Sequence, residues 1–307
     1  MAAIVLVHGI AQEQYGADVL ESRWLPALAS GVRTAGYADI ADELWRGARP
    51  GRIEARMAFY GNIFLEPGAQ GGTGTARAEH LELSEELATA WLRRAAEQSD
   101  DPRDRAAARR YLDSAALGSE GAMGAGRALR PAANALTRLR WFAPFGFGLA
   151  ARFVDRALTQ VTRYLEDSEV RDIAQRRVLD LIGPDTRIVL AHSLGSVVAY
   201  EAMHRSDHPA TLVTLGSPLA LQSIIYPRLR PQPPFVPPSA IRWENLADRD
   251  DIVATHLDLA PYFPPAPGSA VVPATYHSLD NGAGPHDATH YLTKRSLGRI
   301  VAESLGP

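Results

Sequence analysis

The chain of 307 residues contains no cysteine, and Lys294 is the single lysine among its 32 basic residues. The absence of cysteine excludes disulfides, thiol catalysis and cysteine-bound zinc. It agrees with a reducing compartment, so we expect a cytoplasmic protein. The near absence of lysine argues against a mechanism that depends on a lysine amine.

The chain also lacks a large excess of charge of one sign and a long apolar run. The net charge is −3 and the isoelectric point is about 6.3, without the basic excess of proteins that bind nucleic acid. The N-terminal MAAIVLVHGI has no basic region before its apolar residues, unlike a signal peptide. The apolar run from Trp141 to Ala151 is shorter than the ~20 residues that cross a bilayer. We expect no nucleic acid partner and no stable membrane insertion, whereas the oligomeric state stays open.

Strand-like and helix-like patterns alternate along the chain. Such alternation predicts an α/β fold in which a mostly parallel sheet has helices on both faces. We expect one domain over residues 1–307, with a helical insertion at about 66–150 that acts as a cap. Strands are predicted at 3–7, 52–60, 187–191, 210–215, 240–246 and 271–278, and the longer helices at 80–98, 154–182 and 288–305.

The stretch IVLAHSLGSVVAY, at 188–200, changes from a strand-like to a helix-like pattern at Ser193. Two small residues, Ala191 and Gly195, flank the serine where backbone segments must cross. A tight turn here would expose the Ser193 hydroxyl at the end of a strand, and the N–H of Leu194 would begin a helix and could stabilise an oxyanion. Since a hydroxyl is a weak nucleophile, a histidine and a carboxylate are expected downstream.

AHSLG resembles the nucleophile elbow of the α/β-hydrolases, and it is similar to those of lipases and esterases, with Ala191 where the usual pattern has glycine. VLVHGI, at 5–10, resembles the oxyanion strand of the same family. The likeness covers both ends of the chain but not residues 66–150. It implies an α/β-hydrolase fold, a nucleophile–acid–base order, an oxyanion hole built from the N–H groups of Ile10 and Leu194, and no cofactor. Later stretches resemble lipase-like members, including the GPI-inositol-deacylase-like group: LVTLGSPL (212–219), WENLADRDDIVA (243–254) and DNGAGPHDATHYL (280–292).

Four histidines follow the possible acids, and His256 lies too close to the acid strand, which leaves His277, His286 and His290. His286 comes after a strand and the Gly-rich loop DNGAGP, from which an imidazole could reach Ser193, so we predict it as the base. His290 lies one turn into the next helix, and His277 lies within the strand. His286 and His290 have the spacing of a metal-binding pair, but the sequence offers neither a third ligand nor HExxH, so no metal is expected.

The acid comes from one of three aspartates after the strand WENLA, namely Asp248, Asp250 and Asp251. In lipase-like members an aspartate followed by a small turn and Val-Ala is common, which favours Asp251. An alignment on Asp-x-x-Val favours Asp250 instead. The role of this carboxylate is to hold one tautomer of the imidazole and to stabilise the imidazolium.

Four further residues are predicted to line the substrate site. His192 fills the elbow beside the nucleophile with no chemistry assigned to it, and Ser217 belongs to a loop, GSPL, that we interpret as pocket wall. Phe145 and Phe147 belong to the aromatic segment RLRWFAPFGFGLAARF, at 138–153. That segment is either a helical hairpin packed on the core or a flexible lid over an apolar cleft.

The resemblance implies a serine hydrolase that cleaves a carboxylic ester through Ser193, Asp251 and His286 with an acyl-enzyme intermediate. The expected substrate is a small-molecule or lipid-like acyl ester. An acyltransferase or thioesterase with the same triad is an alternative, as is a peptidase. A binding protein without catalysis is the alternative from a different class.

Overall fold

The computed structural model describes residues 2–46, 49–65, 78–118, 128–139 and 146–306. Its strands are β1 (Ile4–Val7), β2 (Trp45–Arg46), β3 (Arg49–Pro50), β4 (Ala55–Ala58), β5 (Ile188–His192), β6 (Ala210–Leu215), β7 (Ala240–Asp248) and β8 (Pro273–Leu279). Six of them form one sheet in the order β4-β1-β5-β6-β7-β8, in which every neighbouring pair is parallel. β2 and β3 form a separate antiparallel pair.

The helices are α1 (Ala17–Thr34), α2 (Ala38–Leu44), α3 (Ala78–Gln98), α4 (Pro102–Gly118), α5 (Leu129–Leu136), α6 (Gly146–Glu166), α7 (Ser168–Leu179), α8 (Leu194–Met203), α9 (Ala288–Leu292) and α10 (Arg295–Leu305). Short 3-10 helices lie at Gly61–Phe64 and Tyr226–Arg228. No helix of the described ranges is long and apolar enough to cross a membrane.

Two apolar cores cover the two faces of the sheet. Side chains alternate along a strand, so Ile4 and Leu6 of β1 face one core and Val5 and Val7 face the other. The first core includes residues of α1, α2 and α10, and the second includes residues of α3, α5, α6, α7 and α8. This arrangement confirms the predicted α/β architecture with a mostly parallel sheet and helices on both faces.

Two predicted helices are each divided into two. The helix predicted over 154–182 ends at Glu166, and α7 begins after Asp167, whose carboxylate accepts hydrogen bonds from the N–H groups of Glu169 and Val170. An aspartate in this N-cap position starts a new helix because it satisfies backbone N–H groups that lack a helical partner. The helix predicted over 288–305 is interrupted without such a cap: Lys294 is in an extended conformation before α10, and its side chain forms no capping hydrogen bond.

The segment between β4 and β5 supplies helices α3, α4, α5, α6 and α7. The first three pack on one another, and α3 also packs along α6. Within its described part, the predicted insertion at about 66–150 is therefore mainly helical. Phe145 lies outside the described residues; Phe147 lies in α6, but its side chain is not among those described.

Candidate active site

The carboxyl ends of parallel strands meet at one edge of a sheet, and the candidate site lies there. β5 ends at His192, β7 at Asp248 and β8 at Leu279. The residues that follow these strands include Ser193, Asp251 and His286. Residues far apart in sequence are thus brought together by the topology of the sheet.

Ser193 forms a sharp turn between β5 and α8. Its φ of 56° and ψ of −130° lie in a region that residues other than glycine rarely adopt. The turn depends on Gly195, because a Cβ there would lie 2.3 Å from the carbonyl oxygen of His8 and 2.6 Å from that of Val7. The small residue two positions after the serine therefore lets α8 cross closely over the end of β1.

A chain of hydrogen bonds joins the three predicted catalytic residues. The Nε2 atom of His286 is 2.8 Å from the Oγ atom of Ser193. The Nδ1 atom of the same ring is 2.7 Å from Oδ2 of Asp251. In this geometry Nδ1–H donates to the carboxylate, and Nε2 is left as the acceptor for the serine hydroxyl. His286 can therefore take the Ser193 proton.

Asp251 is buried and fully hydrogen-bonded. Its Oδ1 accepts from the N–H of Val253 at 2.9 Å, and its Oδ2 accepts from the hydroxyl of Tyr291 at 2.9 Å as well as from His286. Burial alone would raise the pKa of this carboxyl, but the nearby His286 and the hydrogen bonds hold the pKa below its ordinary value. The carboxylate is thus kept ionised beside the imidazole.

The other two candidates for the acid, Asp248 and Asp250, accept hydrogen bonds from backbone N–H groups. Asp248 accepts hydrogen bonds from the N–H groups of Asp250 and Asn281, and burial raises its pKa to about 6. The carboxylate of Asp250 accepts from the N–H of Asp100 at 2.8 Å. Asp248 thereby ties the loop after β7 to the loop after β8, which carries His286.

Tyr291 contacts Asp251 and is not among the residues predicted from the sequence. Its hydroxyl donates to Asp251 and accepts from the N–H of Asp248 at 2.8 Å. It thus joins the two ends of the loop 248–251, the acid loop. The side chain is buried, on α9 five residues after His286. A tyrosine within an amphipathic helix has no motif that marks it, which is why pattern alone did not identify it.

His192, predicted beside the substrate, contacts the backbone and the ring of His286. Its Nε2–H donates to the backbone carbonyl of His286 at 2.8 Å, and the two ring centroids are 4.5 Å apart. Burial lowers the pKa of His192 to about 3, so the ring is neutral at physiological pH. The structure therefore puts His192 in contact with the histidine that we predict as the base.

Ser217, predicted as pocket wall, is buried behind the nucleophile turn. Its Oγ lies 2.7 Å from Oγ of Ser196, whose hydroxyl donates to the carbonyl of Ser193. The Ser217 hydroxyl also accepts from the N–H of Leu219. Ser196 and Ser217 thus stabilise the turn from its buried side. The Nε2 atom of His286 contacts Ser193.

The loop after β1 packs directly against the nucleophile. A Cβ on Gly9 would lie 2.7 Å from Cβ of Ser193, so this loop needs glycine for its close approach. His8 is buried, which lowers its pKa to about 4, and its Nδ1–H donates to the carbonyl of Gly9 at 2.7 Å. Its Nε2 accepts from the N–H of Tyr60, and the Tyr60 hydroxyl donates to the His8 carbonyl. His8 therefore fixes the shape of the loop.

Some backbone N–H groups near Ser193 donate a hydrogen bond within the chain, and others are open donors that have no acceptor in the described ranges. The N–H of Ala11 donates to the side-chain oxygen of Gln160 on α6 at 2.8 Å. The N–H groups of Ile10 and Leu194 have no acceptor within the described part of the chain. These are the two donors that the resemblance predicts for an oxyanion hole.

The other histidines of the C-terminal part of the chain have different contacts. His290 is exposed, and its Nδ1 contacts the carbonyl of Asn281. His256 contacts the hydroxyl of Tyr262 at 3.2 Å. His277 belongs to β8. In the described ranges, no three His, Asp or Glu side chains are arranged to hold a metal ion.

Gly216 offers a test of the triad geometry. Its φ is +53°, and a Cβ there would lie 2.5 Å from Oδ2 of Asp251 and 3.0 Å from Nδ1 of His286. We expect Gly216→Ala to reduce kcat about 10²-fold because it displaces the acid and base from each other. The control is Gly268→Ala, at a φ of +79° with no atom within 4 Å of the added Cβ. Similar kcat values for the two variants would contradict this geometry.

Comparison with protein-family models, with curated proteins and with solved structures gave no significant match to this chain.

Proposed function

We propose that this chain is a serine hydrolase that cleaves carboxylic esters, built on an α/β-hydrolase fold. The observation that supports the proposal best is the unbroken hydrogen-bonded series of Ser193, His286 and Asp251 at the carboxyl edge of a parallel sheet. The parallel sheet with helices on both faces is compatible with that fold. The turn at Ser193 and the two open N–H donors beside it supply the remaining parts that acyl transfer requires.

The reaction begins with His286 acting as general base. As the Ser193 oxygen bonds to the ester carbonyl carbon, its proton passes to Nε2 of His286, and the carbonyl π electrons move to the oxygen. The N–H groups of Ile10 and Leu194 stabilise that oxyanion. The intermediate then collapses, the bond to the alkoxy oxygen breaks, and the imidazolium protonates the departing alcohol.

Water completes the cycle by the same route. His286 takes a proton from water as the water oxygen bonds to the acyl carbon, and the proton returns to Ser193 as the acyl–serine bond breaks. Asp251 stabilises the imidazolium at both stages. Its hydrogen bonds to Tyr291 and Val253 keep the carboxylate in place, so the imidazole stays in the tautomer that the reaction needs.

The helical segment between β4 and β5 contributes the cap in this proposal. Gln160 of α6 contacts the loop after β1 through Ala11, and it donates to Glu13 at 2.9 Å. At the other end of the site, Arg249 forms an ion pair with Asp100 at 3.1 Å. Contacts on both sides of the triad fit a cap that limits access of water and substrate.

The test is hydrolysis of 4-nitrophenyl esters graded from acetate to palmitate, with acyl-thioester and peptide substrates measured in parallel. We expect ester turnover that is abolished in the Ser193→Ala variant. Turnover of thioesters or peptides alone would replace the proposal with the corresponding class, and transfer to an added alcohol in preference to water would indicate an acyltransferase. A chain that turns over none of these substrates, measured beside its Ser193→Ala variant, would contradict the proposed function.

A further inference from the structure

Arg94 on α3 is a buried cation with few partners. Only 4% of its surface is exposed. Its Nη2 donates to the backbone carbonyl of Arg249 at 3.1 Å, on the loop that carries the triad acid. Its Nε–H is buried with no acceptor, and no carboxylate forms an ion pair with it within the ranges described. Burying a charge without a paired partner is costly, so this arrangement calls for an acceptor of opposite charge.

Two further buried side-chain atoms without a partner in the described part of the chain lie on α3 itself and on the loop after β7 that Arg94 contacts. Trp91 lies three residues before Arg94, so both side chains are on one face of α3, and its indole N–H has no acceptor among the described residues. The hydroxyl of Thr255, four residues after Asp251, also has no partner there. Tryptophan and arginine can only donate hydrogen bonds. The group that suits these side chains is therefore a strong acceptor.

Nearby acidic groups do not neutralise Arg94 directly. Burial lowers the pKa of its guanidinium, while the more distant charges of Asp251, Glu97 and Asp250 oppose that effect. Glu97 is exposed, and Asp250 already accepts from the N–H of Asp100. The Asp251 carboxylate accepts from His286, Tyr291 and Val253. Its charge is thus already compensated by three donors, and the guanidinium is left to act on another group.

We propose that Arg94, with Trp91 and Thr255, binds an anionic oxygen group of the substrate, a carboxylate or a phosphate. The planar guanidinium matches the oxygens of either group. Because Arg94 contacts the acid loop rather than Ser193, the anion must lie several bonds from the ester carbonyl. The inference rests on the proposed function, since it names the class of ester that this site prefers.

The first test measures binding without turnover. Adipate and inorganic phosphate are titrated calorimetrically into the wild-type protein at constant ionic strength, which separates the carboxylate from the phosphate as the preferred anion. We expect at least one anion to bind, and Arg94→Met to weaken it roughly tenfold to hundredfold, as the loss of a charge-assisted hydrogen bond implies. The matched control is Arg93→Met, an exposed arginine of the same helix.

A second variant tests whether weaker anion binding could come from a general loss of structure. Thr255→Val keeps the shape of the side chain and removes only its hydroxyl, and we expect it to weaken anion binding with an unchanged melting temperature. Absence of binding by both anions, or equal binding by the wild-type, Arg94→Met and Thr255→Val proteins, would overturn the proposal.

The kinetic test compares mono-(4-nitrophenyl) adipate with 4-nitrophenyl hexanoate, which share an acyl chain length. We expect the preference for the anionic ester, as a ratio of kcat/KM values, to fall at least tenfold in Arg94→Met and to persist in Arg93→Met. An equal loss on both esters would mean that Arg94 only holds the acid loop, and the proposal would fail. Arg94-dependent anion binding without hydrolysis of either ester would support the anion site while contradicting the proposed function.

Discussion

Replacing Ser193 by alanine is expected to lower ester hydrolysis by about 10⁶-fold, since the members of a catalytic triad act as a unit and the nucleophile is lost. The substitution removes only the Oγ atom that lies 2.8 Å from His286. It keeps the Cβ that packs against Gly9. The fold should therefore be retained, with a melting temperature close to that of the wild-type protein. The measurement is kcat/KM on the best ester of the graded series.

Ser217→Ala is the matched control for this variant, because Ser217 is equally buried and its hydroxyl contacts Ser196 rather than His286. We expect less than a tenfold change in its kcat, as only support of the turn is lost. Residual activity of the Ser193→Ala variant close to that of the Ser217→Ala variant would mean that another group is the nucleophile.

The second large effect is expected from Asp251→Asn, which should lower kcat by about 10⁴-fold. The asparagine amide can present an N–H where the carboxylate accepted from Nδ1 of His286, so the imidazole would adopt the wrong tautomer. His286→Ala should match the loss seen on removal of Ser193, whereas His290→Ala should be mild because that ring is exposed and contacts the backbone carbonyl of Asn281 in the preceding loop.

Asp250→Asn is the control for the acid, since this residue neighbours Asp251 but contacts the N–H of Asp100. We expect its kcat to stay near the wild-type value. Asp248→Asn should clearly lower the melting temperature and lower kcat only slightly, because Asp248 joins two loops without contacting the imidazole. A large loss of kcat in Asp250→Asn with little loss in Asp251→Asn would mean that Asp250 rather than Asp251 is the acid.

The sheet and the nucleophile turn could be predicted because their signals are local. A run of aliphatic residues followed by small residues around Ser193 fixes a strand, a turn and a helix within thirteen residues, and the structure has this turn between β5 and α8. The strand predicted over 210–215 has those bounds in the structure. Likewise, the Gly-rich loop before His286 predicted an imidazole within reach of Ser193, and the two side chains are in contact.

Features that depend on long-range contacts were not predictable in the same way. Apolar spacing continues across Asp167, so a single helix was predicted, and only the capping hydrogen bonds of its side chain divide α6 from α7. Tyr291 and Arg94 acquire their roles from loops that approach them in three dimensions. α4 was not predicted because its sequence is charged, although Pro102 at its first position is a common helix start.

The most direct test of the central claim, that Ser193 is an activated nucleophile, is covalent labelling with a fluorophosphonate followed by mass spectrometry of the peptides. The account predicts one phosphonyl group on Ser193, with labelling lost in Ser193→Ala and strongly slowed in His286→Ala, because the imidazole at 2.8 Å activates the hydroxyl. Labelling of Ser217 or another serine while Ser193 stays unmodified, or no labelling of the folded wild-type protein, would contradict it.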